Sequence, residues 1–159
     1  MVVRVQTAPF DAGKELALIT EGNFNIGGVC SFIGLVRDIT PSGKINAMTL
    51  EHYPGMTEKA LQKIECEAHD RWPLESTLIL HRYGKLYPGD QIVFVAATSS
   101  HRHAAFEACH FLIDWLKTQA PFWKLEDSPS GGRWVEARAR DDKAAERWGH
   151  GPNQKPNLT

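Results

Sequence analysis

Cysteine is scarce: Cys30, Cys66 and Cys109 are the only three among 159 residues. They are odd in number and widely spaced, and no CxxC occurs, which excludes a disulfide framework and a cysteine zinc site. Reduced thiols in a cytoplasm are expected, serving as buried small hydrophobes. No run approaches the roughly 18 apolar residues of a membrane helix, and residues 1–5 lack the layout of a signal peptide. No association with a membrane is therefore expected. An excess of one charge is also missing. Lys and Arg total 18 against 19 Asp and Glu, a net charge of −1, which argues against a general nucleic-acid coat. There are no internal repeats and no low-complexity tract. Gly27-Gly28 and Gly131-Gly132 lack the spacing of a Rossmann or Walker loop. What remains is an ordinary globular mix, 42% apolar and 23% charged, long enough for one domain with a real core. We place that domain at residues 1–148 and expect 149–159 to be a flexible tail, since it has no apolar periodicity.

Residues 2–5 read as a strand. Asp11 is suited to cap a helix carrying Leu16, Ala17 and Ile19 that stops near Gly22. Residues 26–36 are apolar and β-branched, a strand, and 38–44 is a loop by its Pro, Ser and Gly. Residues 45–53 alternate as a strand does. A helix over 57–71 has Ala60, Leu61, Ile64 and Ala68 at helical spacing. Residues 77–81 and 91–97 read as a hairpin with a long connection. Ser99 or Ser100 is expected to cap the longest helix, 101–119, which Pro121 stops. Two strands, 122–125 and 134–137, flank a turn at 127–132, and a short helix follows near 141–147. Strands and helices without regular alternation predict an α+β domain: mixed, largely antiparallel sheets with about three main helices.

Four clusters stand out. Ser99-Ser100-His101-Arg102-His103 lies where a strand hands over to a helix, whose free N–H groups and dipole favour an anion such as phosphate. A metal site from His101 and His103 is not expected, because helical residues two apart diverge. Lys117 lies in the last turn of the same helix and Lys124 in the strand beyond, flanked by Phe122 and Trp123. In a shared, partly desolvated pocket each lysine lowers the other's pKa and supplies an amine base or nucleophile. Arg37 ends an apolar strand beside a loop, a place from which to grip an anion. Glu51 and Tyr53 share a strand face before Pro54-Gly55. Each cluster also has a plain structural reading: a solvated helix start, a lysine on a helix dipole, a surface arginine, a strand end.

Taken in order, these residues carry more. Phe32-x-Gly34-x-Val36-Arg37 is followed by Leu50-Glu51-His52-Tyr53-Pro54-Gly55-Met56 and by His81-Arg82-x-Gly84-x-Leu86-x-Pro88-Gly89-Asp90. Then come Ser99-x-His101-Arg102-x-x-Ala105-Phe106, Leu116-Lys117, and Ala120-Pro121-x-Trp123-Lys124-x-Glu126 with a Gly and Trp134. The series resembles the catalytic (large) subunit of molybdopterin synthase over roughly residues 25–148. The resemblance implies an α/β-hammerhead-like fold. It implies a sulfurtransferase that converts a cyclic pyranopterin monophosphate into the molybdopterin dithiolene. Sulfur arrives as the C-terminal thiocarboxylate of a small ubiquitin-like carrier subunit. It further implies a homodimer that becomes a heterotetramer with two carriers. Substrate-site positions are, by the same resemblance, Leu35, Val36, Arg37, His101, Arg102, Lys117, Lys124, Leu125 and Glu126, with Lys117 and Lys124 catalytic. Leu125 stands where relatives often have a basic residue, so its backbone alone is expected to serve. No metal and no resident cofactor are expected. A narrow channel near Phe32, Gly34, Trp123 and Lys124 is expected to admit the carrier's C-terminus.

His101 and Lys117 lie sixteen residues apart on one predicted helix, about 24 Å at 1.5 Å per residue. A bicyclic or tricyclic ligand spans about half of that, so a site shared across a twofold dimer is expected. The competing reading is a non-catalytic phospholigand- or RNA-binding α+β domain whose basic residues merely clamp phosphates.

Overall fold

The structure, a computed structural model, describes residues 1–135 and 139–149. The N-terminal strand β1 (Val2–Gln6) leads into helix α1 (Ala12–Thr20), capped as expected by Asp11, whose side chain accepts from Lys14 N at 3.1 Å. Strand β2 (Gly28–Leu35) is followed by β3 (Ile39–Thr40) and β4 (Gly43–Lys44), then β5 (Ala47–His52) and α2 (Met56–Arg71). Next come β6 (Ser76–Arg82), β7 (Gly84–Leu86) and β8 (Gln91–Ser99). Helix α3 (Arg102–Gln119), β9 (Phe122–Ser128), β10 (Gly131–Val135) and α4 (Ala139–Glu146) complete the chain.

Two four-stranded sheets result. One has the order β1-β6-β8-β2, the other β10-β9-β5-β7. Every pairing is antiparallel except β1 with β6. Strands β6 and β8 are central and covered on both faces, which is why they read as nearly continuous apolar runs. On one face Ile79, Val93 and Val95 meet Leu61 and Ile64 of α2 and Phe111 and Leu112 of α3. On the other, Leu78, Leu80, Phe94 and Ala96 meet Phe10 and the α1 residues Leu16 and Ile19. The second sheet has a smaller core of Val36, Ile45, Met48, Leu50 and Leu86. This is the α+β domain with largely antiparallel sheets read from the sequence.

Helix α4 and the turn after it are fastened to α3. Asp114, buried there, accepts from Trp148 Nε1 (2.8 Å) and pairs with Arg147 (3.0 Å). Trp148 stands edge-on to Trp72 and Phe111. The proposed strand end at 136–137 and the tail from 150 onward lie outside the described residues.

Four expectations are corrected. The predicted loop at 38–44 contains the small antiparallel hairpin β3–β4. The long connection between β6 and β8 contains β7, which belongs to the other sheet. The N-cap of α3 is His101, without a capping side chain. Ser99 is instead buried one step earlier, accepting from His101 N at 3.2 Å and donating to Pro73 O at 2.7 Å. Finally, Cys66 is exposed on α2, whereas Cys109 is buried and Cys30 half-buried.

Candidate active site

The chain enters the site from β2. A register shift between Gly34 and Leu35 bends the end of that strand, as bulges do. Leu35 is thereby exposed and Val36 buried. Val36 is pinned at both backbone groups, its N–H to Asp90 O (2.9 Å) and its C=O to Gly89 N (2.8 Å). Arg37 follows, exposed to solvent. Directly after it, Ile45 N donates to Asp38 O (2.8 Å) and closes the base of the β3–β4 hairpin.

That hairpin rests on β9. Lys124 and Glu126 share one face of β9, and Lys124 Nζ lies 2.8 Å from Glu126 Oε1. Glu126 is only 2% exposed, buried beneath the hairpin. Its Oε2 accepts from Ser42 Oγ at 2.5 Å and from Thr40 Oγ1 at 3.1 Å. Burial pushes the Glu126 carboxyl up. The hydrogen bonds and charge of Lys124, with the Ser42 and Thr40 hydroxyls, outweigh that and hold it below the usual carboxylate value. An ionised, desolvated carboxylate thus orients an amine. Leu125 points to the opposite face, half-buried.

Lys117 lies in the last turn of α3, exposed, and among the described residues it makes no ion pair or side-chain hydrogen bond. The ion-pair partner of Lys124 is Glu126. Pro121 ends the helix, and Phe122 N donates to Ala120 O (2.9 Å), turning the chain sharply into β9. Under this turn lies an aromatic stack. The buried His81 ring packs face to face on Phe122, centroids 3.9 Å apart, and its Nδ1 lies 2.7 Å from Arg82 O. Burial pushes the His81 pKa down to about 4, against the raising effect of the Arg82 carbonyl and with the His52 ring nearby. His52 packs 4.3 Å from the Tyr83 ring and 3.7 Å from Glu58.

At the opposite end of α3 the segment 27–28 crosses the helix start. Gly27 N donates to Ser99 O (3.0 Å), and a Cβ on Gly27 would lie 2.1 Å from Ser100 O. His101 and Arg102 project from this corner, both exposed. Helix α3 runs unbroken over its 18 residues, so His101 and Lys117 stand about 24 Å apart along it. The fold joins Lys124 and Glu126 to the hairpin that follows Arg37. Within one copy it leaves His101 and Arg102 at the far end of α3 from Lys117.

Gly34 has a plain packing reason. A Cβ there would lie 2.6 Å from Val93 Cγ1, so the glycine admits Val93 across the sheet. Phe32 and Trp123 are both exposed. Glu51 and Tyr53 face solvent. Among the described residues no group of three or more His, Cys, Asp or Glu is placed to hold a metal, and no helix is long and apolar enough to cross a membrane. Thr40 and Ser42 were missed by sequence reasoning. They are 86 and 84 residues from their partner, in a stretch whose Pro, Ser and Gly signal only a loop.

A family model for the MoaE protein matches residues 5–119. The molybdopterin synthase catalytic subunit of Pseudomonas aeruginosa is 56% identical over 148 residues, covering 93% of this chain and 99% of that protein. The molybdopterin biosynthesis MoaE protein from Burkholderia ambifaria MC40-6 has a similar structure, with a TM-score of 0.81 at 52% identity over 94% of this chain and 98% of its own. Molybdopterin synthase from Staphylococcus aureus gives a TM-score of 0.77 at 32% identity over 84% of this chain and 96% of its own. With model, sequence and structure in agreement over most of its length, the chain belongs to the MoaE protein family.

Proposed function

We propose that this chain is the catalytic subunit of a molybdopterin synthase. It moves sulfur from the C-terminal thiocarboxylate of a small ubiquitin-like carrier onto a cyclic pyranopterin monophosphate, forming the molybdopterin dithiolene. The observation that carries the reading is the buried Glu126 carboxylate holding Lys124 beneath the hairpin that follows Arg37, in a chain of this family. Arg37 and Arg102 supply cations, and His101 a ring N–H, for the cyclic phosphate. Leu35, Val36 and the backbone of Leu125 lie beside the substrate, and Glu126 stands behind Lys124. Each sulfur replaces an oxygen on a pterin side-chain carbon, that oxygen leaving as water or with the opened phosphate ester, and the carrier then leaves as a carboxylate whose new oxygen comes from water. Both steps move protons. Lys117 and Lys124 perform this work, as acid and base or through a covalent amine. Two such transfers complete one product.

The unbroken α3 supports a site shared by two copies: His101 and Arg102 from one, Lys117 and Lys124 from the other. With a carrier at each end this is a heterotetramer around a central homodimer. Three unpaired cysteines and a thiocarboxylate carrier suit the reducing cytoplasm.

The test is a single-turnover assay with the cyclic precursor and a thiocarboxylated carrier, following the dithiolene after oxidation to a fluorescent pterin. Wild type is expected to form product. Lys117→Ala, still dimeric, is expected to be slower by about 10²- to 10⁴-fold, the usual worth of a positioned acid or base. Folded wild type without product, but binding pterin or nucleotide phosphates, would replace this reading with that of a phospholigand-binding domain.

A further inference from the structure

The β3–β4 hairpin and β9 meet on a single carboxylate, and counting protons shows how. Ser42 Oγ has one proton and lies 2.5 Å from Glu126 Oε2. Thr40 Oγ1 also has one, and it is shared between Glu126 Oε2 and Gly43 O, each at 3.1 Å. The two hydroxyls are themselves 2.8 Å apart, so the Ser42 oxygen is a third acceptor within reach of that one Thr40 proton. Ser42 is therefore the stronger tether and Thr40 its support. Both hydroxyls face Oε2, and Lys124 Nζ pairs with the other oxygen, Oε1, at 2.8 Å. Both ends of the hairpin are fixed as well. Its base is closed by the bond from Ile45 N to Asp38 O, and Asn46 N donates to Asp127 O on β9 at 2.7 Å.

We propose that Thr40 and Ser42 are positioning residues: the hairpin clasps Glu126 so that its second oxygen stays turned on Lys124, setting the lysine against the hairpin that follows Arg37. The proposal rests on the sulfur-transfer reading for its purpose but not for its geometry. Hydroxyls donating to a desolvated carboxylate keep it ionised and in one rotamer. Without them Glu126 is free to turn away, and Lys124 loses its only ion-pair partner among the described residues.

Two readouts test this. Competitive labelling with acetic anhydride at pH 8 compares the reactivity of Lys124 with that of Lys117 in the intact protein. Ser42→Ala, a small change at an exposed residue, is expected to raise the Lys124-to-Lys117 ratio by roughly fivefold, somewhat under the worth of one hydrogen bond to a charged group. Ser42→Thr is expected to restore it, and Ser130→Ala, at the exposed tip of the β9–β10 hairpin, to leave it unchanged. In the single-turnover assay Ser42→Ala is expected to be slower by a similar factor at saturating precursor. An unchanged ratio in Ser42→Ala overturns the clasp. A raised ratio with an unchanged rate overturns its positioning role. If wild type makes no dithiolene, the sulfur-transfer reading fails, while the labelling ratio still decides the clasp.

Discussion

Two buried titratable side chains, 45 residues apart in the chain, are treated by the fold in opposite ways. Glu126 is held ionised by the Lys124 charge and two hydroxyls, whereas His81 is held neutral by burial against Phe122. The second choice has a pH signature. In the unfolded chain His81 titrates near its ordinary 6.5, and in the folded protein near 4. Between those values the unfolded state binds more protons, so stability falls as the pH falls from 6.5 to 4. The full effect of that group is about 3 kcal/mol. His81→Gln keeps an N–H for the Arg82 carbonyl and removes the titration. Its denaturation midpoint is expected to be lower than wild type at pH 7, with the gap narrowing steadily as the pH is lowered to 4. Urea unfolding at a series of pH values measures this. At this scale much of the candidate site was legible. Arg37, Lys117 and Lys124 stand out because charged residues interrupt apolar strands and helix ends. Thr40 and Ser42 do not, because a hydroxyl in a Pro-Ser-Gly stretch looks the same whether or not a distant carboxylate waits for it.

Among the elements, α3 spans the proposed site: one end presents His101 and Arg102, the other Lys117 and the turn into β9. Its start is set by the chain that crosses it. The absent Cβ of Gly27 would sit 2.1 Å from a backbone oxygen of Ser100, which cannot yield without moving the helix entry. Gly27→Ala is expected to cost about 1–3 kcal/mol, the usual range for overpacking against a fixed wall. It is also expected to weaken precursor binding while leaving Lys124 labelling unchanged, since the disturbance lies at the far end of α3. Guanidinium denaturation and isothermal calorimetry check the two halves. The long elements were readable from period and punctuation: α2, α3, β5 and β8 differ from expectation only at their ends. The short ones were not. Strands of two or three residues such as β3, β4 and β7 have no period to detect. Which strands share a sheet depends on partners dozens of residues away, as with β5 between β7 and β9.

For the whole molecule, a copy of this chain is an incomplete site under the proposed reading, and that is testable by mixing. His101→Ala and Lys117→Ala chains, each inactive alone, are expected to regain up to about one working site per hybrid dimer after proven subunit exchange, since each site takes one residue from each copy. Activity that never returns despite exchange places both residues in the same copy's site. The woven path of the chain carries a further consequence. It passes from one sheet to the other after β2, and again after β5, β6, β7 and β8. Neither sheet is a contiguous piece of sequence, so neither half can be excised and fold alone. Most native pairings join distant residues, which makes loop closure the slow step of folding. Loss of either sheet removes strands' connections to the other, so the molecule unfolds as one cooperative unit. A lesion in the small β10-β9-β5-β7 sheet is thus felt as lower abundance of the whole protein, not as a locally softened site.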